Sequence, residues 1–425
     1  MMNLSALYGG SPQEKARIRI VYALLGTAFF IPLHLYVMEV FFAAACILAV
    51  LYCLRYGVPQ CGAMPLMVPA ALFAAAALVS LAGSPRALFG AAFYMFTVFQ
   101  YILLYIGVIL FVRGEGERRL FVCVIMAGAA VVALYGLYQY VHMLTLQESE
   151  WVDSSAFPLL QRRMYSTLYN PNLLSAYLLT VMGVTASVSL WVRKKVYKAA
   201  GLGFFCLLAL CLLLTYSRGA WISAAVMAFL LGLIWNRRIW VVFLAIPAVL
   251  LFYHGGIADR LISIFSHREA DTSVAMRLDM WSDTVEMWLD HPFFGIGWGS
   301  FKFAYPAYNE LIQKAGITIF HCHNLFLNIL TETGLAGFIT FFTFFFGHFH
   351  YGRLQLLKAC RESFSYMLAA AVICVVAAIS VSGLSDDDLF STQVSMIFWL
   401  ISALFCNDYA ENAQGRENGL RNYSH

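Results

Sequence analysis

Long apolar runs, each close to the length of a bilayer crossing, govern what this chain can fold into. A helix needs roughly 20 apolar residues to cross the ~30 Å hydrocarbon core of a membrane. Such runs occupy 18–38, 39–54, 64–82, 89–112, 119–144, 169–192, 199–215, 219–236, 239–254, 322–350, 364–382 and 391–406. They predict about twelve transmembrane helices. With 61% hydrophobic and only 12% charged residues, the chain lacks the polar surface to coat a water-soluble fold of this size. The same shortage of charge excludes disorder. A formal net charge of +4 is too mild for a nucleic-acid binder. The expected fold class is an all-α integral membrane protein, a single polytopic domain over 1–425 in a lipid bilayer.

Lys and Arg fix the expected orientation, because they accumulate on the cytoplasmic side. With the N-terminus inside, 18 of the 27 basic residues fall in cytoplasmic segments. Most of the outer ones lie in a single long loop, a kind that translocates largely regardless of charge. Both termini are therefore expected inside. The polar opening residues hold no short apolar run closed by a small-residue cleavage site, so no cleavable leader is expected. Of the ten cysteines only Cys322 reaches the predicted outer face, which leaves no disulfide framework.

Two outer segments are longer than simple connections, roughly 145–168 and 255–321. The second is long enough that it should fold back and act. Within it, MRLDMWSDTVEMWLDHPFFGIGWGSF has the period of an amphipathic helix. At 100° per residue, Arg277, Trp281, Val285 and Trp288 share one side and Asp279, Asp283, Glu286 and Asp290 the other. Pro292 and the glycines at 295, 297 and 299 then end it. The helix alone is equally read as an interfacial seal with Arg277 snorkelling.

His323 opens the tenth run. His323, Leu327, Leu330, Gly334 and Gly337 form one helical stripe, whose glycines invite a neighbouring helix. On that reading His323 faces the bundle, as a capped structural residue or as a base. His321 and His323 also make an HxH pair, but no nearby Cys, Asp or Glu spacing completes a metal site. Arg218 stands at the start of the eighth run, where an apolar surround penalises an unpaired charge. Arg162 and Arg163 precede Asn170-Pro171-Asn172, an N-cap followed by a first helical residue, which either simply caps or presents N–H groups to an anion. Asp386, Asp387 and Asp388 occupy the last outer loop, where a solvated acidic turn is the plain reading.

Taken together these features resemble the O-antigen ligase and polymerase superfamily of bacterial cell-envelope enzymes. His323-Asn324, followed by nine residues, Gly334, two residues and Gly337, matches the ligase pattern H-[N/S/Q]-x9-G-x-x-[G/T/Y]. The SRG at 217–219 resembles the SRGA segment, and Arg277, Trp281 and HPFFGIGWGSF resemble its R-x3-W and P-x2-G-x-G core. The resemblance implies a C-type glycosyltransferase of the inner membrane with its site in the periplasm. It would take a glycan from an undecaprenyl-pyrophosphate carrier and pass it to lipid A–core, with no cofactor or metal. His323 would be the base, and Arg218, Arg277 and Arg163 the pyrophosphate contacts. Asn324, Asn172 and Asp386 would be supporting residues. Arginine suits that task because it is permanently charged and forks onto phosphate oxygens. A carrier-linked repeat-unit polymerase is the alternative within the family. A solute transporter is the alternative outside it, disfavoured because the spans read as mostly unbroken and the polar residues gather at one face.

Overall fold

The structure, a computed structural model, describes residues 10–60, 64–142, 163–244, 272–316, 318–389 and 391–422. Those residues form helices and turns, with no strand among them. The first eight helices are α1 Pro12–Phe30, α2 Leu35–Tyr56, α3 Met67–Ser80, α4 Ala87–Phe111, α5 Gly114–Val141, α6 Pro171–Trp191, α7 Lys195–Leu214 and α8 Arg218–Ile234. The outer helix α9 spans Thr272–Asp290, and three long helices close the chain: α10 Leu325–Lys358, α11 Phe364–Ser382 and α12 Thr392–Asn422. Eleven of the twelve predicted runs carry a helix. The run 239–254 begins in a 3-10 segment, Arg237–Leu244, and its remainder lies outside the described residues, as do Arg162 and the start of the 255–321 loop. Among the described residues seven helices are long and apolar enough to cross a membrane, namely α2, α4, α5, α6, α7, α10 and α11; α3 and α8 are apolar but shorter.

Burial separates an inner layer from an outer one. The apolar windows of α6 and α11 are 83% buried, whereas those of α2 and α7 are only 22% and 17% buried. Leu54 on α2 and Val196 on α7 are 80% and 77% exposed. Such a large apolar exterior is compatible with lipid and not with water. In the inner layer α6 meets α11 closely, because Gly183 leaves room for Val375. Helices α6, α8 and α10 all pack on α11. Their N-terminal ends therefore gather around the C-terminal end of α11.

At the opposite end two buried arginines clasp the chain. Arg17 of α1 binds Glu14 at 2.7 Å, Glu117 of α5 at 2.6 Å and the Phe111 carbonyl of α4 at 2.6 Å. Arg118 of α5 binds Asp408 at 3.1 Å and Glu411 at 2.7 Å on α12. Each buried charge is paired, as burial next to apolar surface requires.

The tenth predicted run departs from expectation, because α10 is broken. Gly334 has φ +63° and ψ −170°, outside any helix, so the stripe through His323, Gly334 and Gly337 does not exist as one helical face. His323 itself lies before the helix, with φ +52°. In an apolar surround a broken helix must have its freed backbone groups bonded elsewhere. The HPFFGIGWGSF loop does this. Ile296 and Gly297 donate to the Thr331 and Glu332 carbonyls at 2.9 and 3.0 Å, while Leu335 and Ala336 donate to the Pro292 and Phe293 carbonyls at 2.9 and 3.2 Å. The buried Glu332 carboxylate adds bonds from the Gly299 and Phe301 N–H groups, at 2.9 and 3.1 Å. The loop is thus stitched into the break.

Any Cβ at Gly334 would overlap the Phe293 carbonyl, and the left-handed φ is itself costly for other residues. Gly334→Ala is expected to destabilise the protein by at least about 2 kcal/mol. The check is a lower detergent-extracted yield together with a lower melting temperature; an unchanged melting temperature would contradict this account of the break.

Candidate active site

The site is assembled where three helices begin and one ends. Helix α6 starts at Pro171, with the Asn170 side chain capping Asn172 N–H at 2.8 Å and Leu173 N–H at 3.2 Å, as the Asn-Pro pair predicts. Helix α10 starts at Leu325. Asn324 caps it by accepting from Phe326 and Leu327 N–H at 3.0 and 3.1 Å. That occupies Asn324 as a cap, and it does not orient the imidazole of His323. Helix α8 starts at Arg218, and the next residue, Gly219, leaves space that Ser385 fills. Only a residue without Cβ lets the turn after α11 sit so close to Arg218.

That turn, 383–388, is tied down from both sides. Leu325 N–H donates to the Gly383 carbonyl at 2.8 Å, and Asn324 Nδ2 donates to the Leu384 carbonyl at 3.2 Å. The turn is not a solvated acidic loop: Asp387 and Asp388 are both 2% exposed. Asp386 is the acid that reaches the site. Its Oδ1 lies 2.9 Å from His323 Nδ1, and its Oδ2 accepts from Asn172 Nδ2 at 2.6 Å. Asn172 Oδ1 in turn accepts from Arg163 Nη2 at 2.6 Å, while Arg163 Nε donates to the Thr215 carbonyl at 2.7 Å. Arg163, Asn172, Asp386 and His323 thus form one hydrogen-bonded chain drawn from three separate stretches of sequence. Those bonds make Arg163 a strut for Asn172.

His323 carries the chain on to His321, whose Nδ1 accepts from the His323 N–H at 3.2 Å. Burial, with the charges of His323 and Arg277, pushes the His321 imidazole down to about 3. Burial alone would raise the Asp386 carboxyl, but its contact with His323 and the Arg277 charge hold it well below the usual carboxylate range. Asp386 is therefore ionised, and an ionised carboxylate only accepts hydrogen bonds. The proton of the 2.9 Å contact must then sit on His323 Nδ1, so a neutral ring in this position has its lone pair on Nε2.

Arg277 approaches from α9. That helix buries Met280, Thr284 and Met287, a face rotated away from the predicted Arg277–Trp side. Trp281 instead fastens α9 to the site, its Nε1 donating to the Cys322 carbonyl at 2.9 Å. The acids opposite are also engaged: Asp283 accepts from Tyr305 Oη at 3.0 Å and from Asn309 Nδ2 at 2.8 Å. Sequence reasoning passed over Glu332, although a lone acid within an apolar run is a readable signal of a special environment.

An all-helical, multi-pass membrane protein with a cationic and imidazole site at its gathered helix ends is the class these features define. A family model described as O-antigen ligase matches residues 202–342, from α7 to the part of α10 just past its break. The match covers about a third of the chain, and over that stretch the chain is similar to the O-antigen ligase family. Arg218, Arg277 and His323 lie inside the matched segment, whereas Arg163, Asn172 and Asp386 come from outside it. No curated protein matches the chain.

If Asp386 fixes the imidazole for proton transfer, Asp386→Asn frees the ring to take the other tautomer, and whatever reaction uses His323 as base should slow by roughly three orders of magnitude. Rates measured at matched levels of folded protein check this. Near-normal turnover in that variant would show that the 2.9 Å contact has no part in the chemistry.

Proposed function

We propose that the chain is an inverting, metal-independent O-antigen ligase of the bacterial inner membrane. It crosses the membrane about twelve times in a C-type arrangement with both termini in the cytoplasm. Residues 1–425 form one domain, and the 255–321 segment lies in the periplasm. The donor is a glycan on undecaprenyl pyrophosphate, and the acceptor is a sugar hydroxyl of lipid A–core oligosaccharide. The observation that carries this reading is the His323–Asp386 pair at 2.9 Å, set among helix N-termini beside arginines.

His323 Nε2 takes the proton of the acceptor hydroxyl as its oxygen attacks the anomeric carbon. The bond from that carbon to the carrier pyrophosphate breaks, and both of its electrons leave with the phosphate oxygen. One in-line displacement inverts the carbon. Asp386 steadies the imidazolium that forms, as a buried carboxylate does in a hydrolase triad. The leaving group carries growing negative charge, for which Arg218 at the first turn of α8 and Arg277 on α9 are the stabilising cations. The N-terminus of α8 adds its own partial positive charge.

Replacing His323 with Ala should abolish transfer while expression and donor binding stay largely intact, and His321→Ala should be milder. Arg218→Lys or Arg277→Lys keeps the charge but loses the two-pronged grip, so transfer should fall by roughly a hundredfold. Activity in excess EDTA should persist. An active His323→Ala variant, or loss in EDTA that a divalent ion restores, would refute the mechanism. A deletion strain separates ligase from polymerase: long chains stranded on the carrier mark a ligase, and single repeats on core mark a polymerase. Uptake of solute into proteoliposomes without any glycan transfer would replace both with a transporter.

A further inference from the structure

The sequence offers His321 and His323 as an HxH pair with no third ligand, and the fold supplies one. One ligand atom each from His321, His323 and Asp386 lies within 4.8 Å of the other two, a grouping of three that the descent of the 383–388 turn creates. The His321 and His323 rings stand with centroids 4.5 Å apart. In a helix residues two apart point in nearly opposite directions; His321 and His323 lie in the irregular segment before α10, where their rings can meet. We propose that these three residues form a binding site for Zn²⁺, and that the ion is an inhibitor of the enzyme rather than its cofactor.

Two imidazoles and one carboxylate, with a fourth position left to solvent or substrate, make a donor set that zinc favours. At Zn–N and Zn–O bonds of roughly 2.0–2.1 Å, the ligand atoms of a tetrahedral site stand about 3.3 Å apart. His323 Nδ1 and Asp386 Oδ1 already stand at 2.9 Å, so a small parting of that pair admits the ion. Asp386 is held by Asn172 at 2.6 Å and its turn by Leu325 at 2.8 Å, so the carboxylate is fixed before any ion arrives. Neutral imidazole is the form that binds metal.

Coordination changes the base without removing an atom from it. Zn²⁺ takes the lone pair at His323 Nδ1, and the proton that sat there moves to Nε2. No proton is lost from the ring. Nε2 then carries hydrogen where the transfer reaction needs a lone pair, so the acceptor hydroxyl keeps its proton. The inhibitory half of the proposal rests on His323 acting as the base; the binding half does not.

The test uses the full chain in detergent, purified without a histidine tag, and titrates it with zinc chloride by calorimetry. Surface histidines and the exposed Cys360 will also take up zinc, so the reading is the difference between variants. Wild type should show one site that His321→Gln weakens at least tenfold. Asp386→Asn, which keeps the shape of the turn, should weaken the same site comparably. Equal zinc affinity in wild type and both variants overturns the site, whether or not the chain transfers glycan. In the transfer assay zinc should inhibit wild type, EDTA should restore it, and the residual activity of His321→Gln should need at least tenfold more zinc to be lost. Full turnover with this site saturated would overturn the inhibition, while His323→Ala tests the base role separately.

Discussion

An apolar surround gives unpaired backbone groups nowhere to go, and that constraint organises this molecule from its crossings to its chemistry. Regular helices satisfy it over most of the chain. It is hardest to meet where helices start, end or break, and those are the places where function gathers. At Gly334 the break in α10 is repaired by four backbone bonds from the 292–297 stretch and its partners. At the other end of the same loop, Glu332 holds the N–H groups of Gly299 and Phe301. A conformationally mobile-looking sequence, PFFGIGWG, is thereby fixed against the helix that carries His323 at its entrance.

The gathered helix ends do the same for the site. Three N-termini, from α6, α8 and α10, lie around the turn that follows α11: Asn172 and Asn324 bond to it, and Gly219 leaves it room. Partial positive charge from helix N-termini favours anions nearby. Asp386 benefits from that field inside the protein, and a pyrophosphate would benefit from it outside. The arrangement brings the Asp386 carboxylate and two imidazoles together, with Asn172 and Arg163 hydrogen-bonded in line behind the carboxylate.

On the proposed mechanism, the same sharing would link catalysis to metal sensitivity. Asp386 selects the Nδ1–H tautomer of His323, so whatever replaces that proton controls the base. A proton there leaves Nε2 ready; a metal there silences it. Ordinary reaction and zinc inhibition are then two occupancies of one position between Nδ1 and Oδ1.

Periodicity and composition determined by themselves that the chain is an all-helical membrane protein, because apolar length is a local property that each run declares alone. The Asn170-Pro171 cap was equally legible, since capping involves residues only two or three apart. His323, Arg218 and Arg277 stood out as polar residues at the ends of apolar or amphipathic segments. Their partners did not. Nothing near Asp386 in sequence distinguishes it from Asp387 and Asp388; its meeting with His323, 63 residues away, depends on where α11 delivers the turn. The helical stripe through Gly334 was a false reading for a related reason: the glycine that looked like a packing surface is the point where the helix parts. Only the tertiary structure could decide these matters, because hydrogen bonds between distant segments leave no periodic mark on either one.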